Sequence, residues 1–211
     1  MAPGADGLYI LGDLFEYWVG DDSVALPFNA RVAAQLKATA ARMPVHFMHG
    51  NRDFMVASEF ARATGVKLLE DPTVVDLYGT RTLLLHGDTL CTDDAAYQAF
   101  RKQVRDPDWQ RAALARPMAE RLAIAQNMRE KSEGAKQGKA MSIMDVAPAA
   151  VDKAFLDAGV TQMIHGHTHR PARHVHRVDG KERVRWVLAD WYERGSYLEA
   201  RPEGLRSVEA F

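Results

Sequence analysis

The chain has 211 residues, 47% of them hydrophobic, which is enough to bury one substantial core and lies near the upper end of the range for a single domain. Lys and Arg (27) nearly cancel Asp and Glu (28), so total charge makes no case for nucleic acid or an anionic membrane, and any such case must be local. The single cysteine, Cys91, excludes an intramolecular disulfide framework and a CxxC zinc site; with no signal-peptide pattern at "MAPGADG" and no 18-residue apolar run, the chain is expected to be cytoplasmic or at most peripheral to a membrane.

The first predicted strand is "LYIL" (8–11), which breaks at Gly12 and then presents Asp13. Residues 28–43 are Ala-rich, with Val32, Leu36 and Met43 at helical spacing and Pro44 as a stop, so the chain opens as β-α-β into "PVHFM" at 44–48. Strands are expected at 74–77 and 82–86, joined by a hairpin turn in "DLYGTR". From about 93 to 157 strand signals vanish and three or more helices are expected. Within this insert, residues 101–139 hold ten Lys or Arg against five Asp or Glu. Strands resume at 161–165, 173–178, 183–188 and 205–209. On the alternating strand "RHVHRV", His174 and His176 share one face, expected to be the solvent face. Trp18, Trp109, Trp186 and Trp191 read as core or interface, and nothing marks Cys91 as a nucleophile.

Four stretches share one design, in which an apolar strand ends beside a Gly and a metal-type ligand. They are "ILGD" (Asp13), "FMHGNRD" (Asn51, Arg52, Asp53), "LLHGD" (His86, Asp88) and "IHGHTHRP" (His165, His167, His169). Gly permits the tight turns that let ligands at successive strand ends share one rim of a sheet. His, Asp and Asn donors suit Mn, Fe or Zn rather than Ca or Mg alone. His165 and His49 read as supports for the ligands or as structural groups.

This ordered set resembles the calcineurin-like metallophosphoesterases. The strings "GDLFEYWVGDD", "HGNRDF", "HGDTLCTDD", "IMDV" and "GHTHRP" resemble in particular the family of UDP-2,3-diacylglucosamine diphosphatases of the lipid A pathway. The resemblance implies an α/β fold, an αββα sandwich formed by one domain over 1–211, with a helical lid insert at about 93–157. It also implies a hydrolase that cleaves the diphosphate of its UDP-linked diacylated glucosamine substrate to UMP and the sugar 1-phosphate, by attack of metal-activated water at the α-phosphorus. Two Mn(2+) ions are implied, with Asp13 bridging them, Asn51, His86 and His167 completing one site, and His169 in the other. Asp13, Asn51 and Arg52 are the implied catalytic residues. Substrate contacts are implied for Asn51, Arg52, Asp94, Ser132, Lys136, Lys139 and His167, with Tyr97 as a neighbour.

The residue types make sense of that chemistry. A metal pair lowers the pKa of a bound water and stabilises the oxygens of an in-line displacement at phosphorus. Arg52 stands where many metallophosphoesterases have His after the Gly-Asn. A guanidinium is a poor general acid but can clamp two phosphate oxygens, which suits a leaving group that is already a stable phosphate anion. Lys131, Lys136 and Lys139 offer further phosphate contacts, while Phe100, Leu114, Leu122, Ile124 and Met128 offer apolar faces for acyl chains. The basic insert suggests contact with an anionic bilayer, hence a peripheral location on the cytoplasmic face of the inner membrane, and no nucleic-acid partner.

The family's opening Asp-x-His motif does not precede Asp13, so the first strand and helix of the pattern are expected to be missing and the coding start to lie upstream. As written, the metal site of His169 would retain only Asp13 and His169. Two alternatives follow: a metallophosphoesterase for another nucleotide or phosphodiester, or a non-catalytic lipid-binding form.

Overall fold

The computed structural model describes residues 4–137, 145–192 and 195–210, and the chain divides into two compact units. The first comprises residues 1–69 and 94–141; the second comprises 70–93 and 142–211.

The first unit begins with the predicted β-α-β and continues it by a further helix and strand. Strands β1 (Leu8–Ile10), β2 (Val45–Met48) and β3 (Lys67–Leu69) form a parallel sheet in that order, connected by α1 (Pro27–Ala40) and α2 (Ser58–Thr64). Pro27 opens α1 at its first position, where a missing N–H costs nothing, and Gly65 ends α2 in the left-handed conformation. The core is aromatic: Phe15 and Trp18 lie 4.5 Å apart and Phe60 meets both edge-on, with Val45, Phe47 and Leu36 buried around them. Neither α2 nor β3 is among the elements expected from sequence, because both are too short to show a period.

Helices α3 (Ala95–Val104), α4 (Pro107–Leu114) and α5 (Met118–Gln137) complete this unit. Asp94 and Asp106 cap α3 and α4, each accepting backbone N–H groups of the first turn. The "VGDD" string that follows Trp18 is a pair of fasteners. Asp21 accepts from the indole of Trp18 and from the N–H groups of Ala57 and Phe60 at the start of α2. Asp22 pairs with Arg121 of α5, whose guanidinium also donates to the carbonyls of Val19 and Arg116. Gly20, just before the two aspartates, has φ 127°, and a Cβ there would come within 2.5 Å of Arg121 Nη1, so a side chain at this position would unseat the helix.

The second unit holds a five-stranded mixed sheet in the order β4 (Thr73–Leu77), β5 (Thr80–Leu85), β6 (Gln162–His165), β8 (Lys181–Val187), β7 (Ala172–Val178). The β5, β6 and β8 strands are parallel, and the hairpins β4/β5 and β7/β8 turn at Tyr78-Gly79 and Asp179-Gly180, all four residues with positive φ. Helix α6 (Pro148–Ala158) belongs with this sheet: Val151 and Phe155 pack on Leu83, Leu85 and Met163. Arg183 closes the C-terminal end of α6 by donating to the carbonyls of Phe155 and Val160. A separate hairpin, β9 (Ser196–Arg201) and β10 (Gly204–Glu209), ends the unit; its first strand is unanticipated. His174 and His176 do share a face, but it is the half-buried one toward Arg185, while Val175 is 52% exposed. Trp18 is core as expected, whereas Trp191 is exposed.

Arg121 is 8% exposed and Asp22 is half-exposed, so removing the arginine loses a largely buried anchor. Arg121→Ala is expected to lower unfolding stability by about 2 kcal/mol. The hydrogen bonds of Arg121 hold the Asp22 carboxyl below its ordinary value, so the pair stabilises fully above about pH 4 and its contribution is lost as pH falls further. Denaturant melts of the two proteins should therefore differ at pH 7 and converge toward acid; a constant gap across pH would refute the assignment.

Candidate functional site

In the first unit the site is organised by Asp53, which is fully buried. Its Oδ1 accepts from the N–H groups of Gly50 (2.8 Å) and Asp13 (3.2 Å), and its Oδ2 from Leu14 (2.7 Å) and Phe15 (3.4 Å). One carboxylate thus binds the loop after β1 to the loop after β2. The Arg52 N–H donates to Asp13 Oδ1 at 3.0 Å, completing the clasp. The loops meet so closely that a Cβ on Gly50 would stand 2.1 Å from Asp13 Oδ1 and 2.3 Å from Asp13 N. Asp13 itself has φ 55°, a conformation held against its intrinsic preference.

Arg52 is 12% exposed, with Nε 3.5 Å from Asp13 Oδ2 and Nη1 about 3.1 Å from Glu16 Oε2. Glu16 also pairs with Arg129 of α5 at 2.5 Å. His49, which the sequence left between two roles, bonds the Val56 carbonyl at 2.6 Å through Nε2 and so serves the loop's backbone. Asp94 caps α3 by accepting from Tyr97 N–H at 3.0 Å. Ser132 is exposed on α5, the Lys136 side chain is not described, and Lys139 lies outside the described residues.

In the second unit the imidazoles cluster. His86 is 1% exposed, its N–H donates to Asp71 Oδ1, and its carbonyl accepts from Gly166. The rings of His86 and His167 meet edge to face with centroids 5.1 Å apart. His165 is fully buried; Nδ1–H donates to the Gly166 carbonyl at 2.8 Å, and Nε2 accepts from Arg185 at 2.9 Å. Burial, with lesser contributions from nearby cations, pushes its pKa down to about 3, so the ring is neutral and both nitrogens are committed. That makes His165 a support rather than a ligand. Gly87 has φ 117°, and a Cβ there would fall 2.7 Å from His165 Nδ1. His169 directs Nδ1 at Asp190 Oδ2, 3.2 Å away, a contact that orients the ring.

Among the described residues, five non-glycine residues have positive φ; two belong to hairpin turns, and the other three are Asp13, His167 and His169. Three candidate ligands therefore carry the backbone strain that surrounding structure tolerates at functional positions. The donor chemistry fits a borderline divalent cation: a carboxylate at Asp13, an amide at Asn51, and imidazoles at His86, His167 and His169. Glu16, Asp190 and Arg185 are residues that sequence reading did not single out, and Asp53, grouped there with the metal-type stretches, is instead occupied by backbone N–H groups. Only Asp53 carried a signal, its place directly after Gly-Asn-Arg.

A family model for calcineurin-like phosphoesterases matches residues 2–171. A UDP-2,3-diacylglucosamine hydrolase from Xanthomonas campestris pv. campestris is 51% identical over 211 residues, covering 96% of this chain and 85% of the relative. One from Xanthomonas oryzae pv. oryzae is 51% identical over 216 residues, covering 99% and 87%. A third, from Stenotrophomonas maltophilia, is 50% identical with coverage of 96% and 85%.

Asp53→Ala would strip four backbone donors of one acceptor, and the expected loss is about 3 kcal/mol or more in chemical denaturation. Asp53→Asn keeps one carbonyl oxygen and should lose roughly half as much. Equal stability of the alanine variant and the native chain would show that the clasp is not what holds the loops.

Proposed function

We propose that this chain, which belongs to the calcineurin-like phosphoesterases and within them to the UDP-2,3-diacylglucosamine hydrolases, cleaves the diphosphate of UDP-2,3-diacylglucosamine to UMP and 2,3-diacylglucosamine 1-phosphate. The observation that carries the reading is the Asp13–Arg52 arrangement. A strained carboxylate and a nearly buried guanidinium lie side by side on one clasp, a ligand and a phosphate clamp in fixed relation.

Asp13, Asn51, His86, His167 and His169 would hold divalent metal, with manganese as the proposed ion. Bound there, the metal supplies activated water and positive charge for the oxygens at phosphorus. The chain's own groups do the rest. Asp190 fixes the tautomer and orientation of His169. Arg52, always protonated, presents its fork to the diphosphate and exchanges the exposed Glu16 carboxylate for phosphate oxygens. Since the leaving sugar phosphate needs no proton, no general acid is required, in keeping with an arginine at this position. Asp94, Ser132, Lys136 and Lys139 are proposed substrate contacts from the insert. Phe100, Leu114 and Ile124 are exposed on α3, α4 and α5 and provide apolar surface for acyl chains.

The membrane reading stands on charge. No helix among the described residues is long and apolar enough to cross a membrane. The basic face of the insert is proposed to seat the protein on the anionic cytoplasmic surface of the inner membrane. High salt should release it from anionic vesicles; salt-insensitive binding would refute a purely electrostatic attachment.

Hydrolysis of UDP-2,3-diacylglucosamine in 18O-water, with manganese, should place the label in UMP, as attack at the α-phosphorus requires. Label in the sugar phosphate would overturn the proposed direction, and comparable turnover of a simple nucleotide diester would overturn the substrate. Arg52→Lys keeps the charge but not the fork, and should lower kcat at least tenfold. Asp190→Asn should weaken manganese binding by about 10- to 100-fold in calorimetry.

A further inference from the structure

Strand β8 carries a buried cation with which no carboxylate among the described residues forms an ion pair. Arg185 is 6% exposed, and its hydrogen bonds run to two imidazoles, Nη1 to His165 Nε2 at 2.9 Å and Nε to His176 Nε2 at 3.2 Å. Both rings accept in these bonds, so both are neutral and cancel none of the charge. Among the described residues no carboxylate comes within ion-pair distance of this guanidinium; Asp145, the nearby acid, is bonded instead to Arg170 at 2.5 Å and to its neighbour's N–H at 2.8 Å. Taking a lone guanidinium out of water costs several kcal/mol, and burial pulls its pKa below the ordinary value, only partly offset by Asp145.

The same side chain lines a cavity of about 220 Å³, together with Thr168, Arg170, His174 and Asp145. Thr168 is one of the lining residues, and its buried hydroxyl oxygen has no hydrogen-bond partner among the described residues. The Arg185 guanidinium therefore lies near a carboxylate already engaged by Arg170, beside a hydroxyl with no partner among the described residues. Each deficit is the kind that an oxyanion cures: counter-charge for Arg185 and an acceptor for Thr168 Oγ1.

We propose that this cavity is an anion site for a tetrahedral phosphate group, held by Arg185, Arg170 and the Thr168 hydroxyl. Its volume is below the roughly 300–1,000 Å³ of sites for drug-sized ligands, which suits a small oxyanion and excludes a whole nucleotide or an acyl chain. The phosphate is either free inorganic phosphate or the terminal phosphate of a reaction product. The second carrier rests on the proposed hydrolase activity, whereas the site itself does not.

The test titrates the full-length, metal-loaded protein with sodium phosphate, against sodium chloride at matched ionic strength, by calorimetry. Phosphate should bind the native protein and bind Arg185→Met and Thr168→Val at least tenfold more weakly. Equal affinity in all three, or no phosphate binding to the native protein, would overturn the site. Should Arg185→Met fail to fold, Thr168→Val and Arg170→Gln carry the same comparison at half-buried positions. Inhibition of hydrolysis by 2,3-diacylglucosamine 1-phosphate distinguishes the carriers: inhibition relieved tenfold in Thr168→Val supports the site with product phosphate, and inhibition unchanged while phosphate binding is lost supports it with inorganic phosphate. Phosphate binding in a chain that releases no UMP would refute the proposed activity and leave the site standing.

Discussion

The first unit depends on one buried carboxylate. Two parallel strands that end side by side leave backbone N–H groups pointing into the space between their loops, and a buried N–H without a partner costs about as much as a lost hydrogen bond. Asp53 takes four of them at once, from Gly50, Asp13, Leu14 and Phe15. Because the four donors come from both loops, satisfying them fixes the loops' separation, and that separation forbids a Cβ at position 50. The left-handed conformation of Asp13 follows: its N–H is held by Asp53 while its carboxylate accepts from Arg52 N–H, and few backbone angles meet both demands.

The second unit meets the same difficulty with an imidazole. His165 sits where β6 ends, its carbonyl accepts from Leu188, and the following Gly166 N–H reaches the His86 carbonyl. A carboxylate in this position would face no cluster of donors; a neutral ring that donates at Nδ1 and accepts at Nε2 matches the Gly166 carbonyl on one side and Arg185 on the other. His167 and His169 then project from a loop whose base is rigid, and Asp190 turns the outer ring. Orientation by a second group is what gives a metal-type histidine a defined lone pair.

What sequence revealed and what it hid divide along sequence separation. As candidates, Asp13, Asn51, His86 and His167 stood out because each lies beside a Gly at the end of an apolar run, and His169 because it follows His167 by two positions, all local patterns. The roles of Asp53, Glu16, Asp22, Asp190 and Arg185 were not legible, because they lie in partners elsewhere: Asp53 binds residues 38 to 40 positions away, and Asp22 meets Arg121 at a separation of 99. No local period encodes such a pairing. The β-α-β opening and the hairpin turns were legible from strand runs and turn residues, while α2, β3 and β9 were too short or too mixed to stand out. The face carrying His174 and His176 was found by alternation, but alternation does not say which face is inner; Arg185 on the neighbouring strand decides that.

The electrostatics around Arg52 bear on how a nearly buried guanidinium would serve the proposed phosphate clamp. Its partner Glu16 is 45% exposed and shared with Arg129, and an ion pair open to solvent contributes only about 0–1 kcal/mol. Phosphate oxygens in a desolvated site offer the same fork two parallel, charge-assisted bonds, so the exchange of Glu16 for substrate runs downhill. On the proposed clamp role, Glu16 would be a placeholder, keeping the planar fork ordered before binding and leaving it at small cost. The deeper carboxylate, Asp13, lies on the Nε edge of Arg52 at 3.5 Å, so the contact open to exchange is the solvent-exposed one to Glu16 at Nη1. A solvated arginine with no partner would instead have to be ordered at the moment of binding, a penalty that a nearly buried carboxylate on one edge and an exposed one on the other avoid.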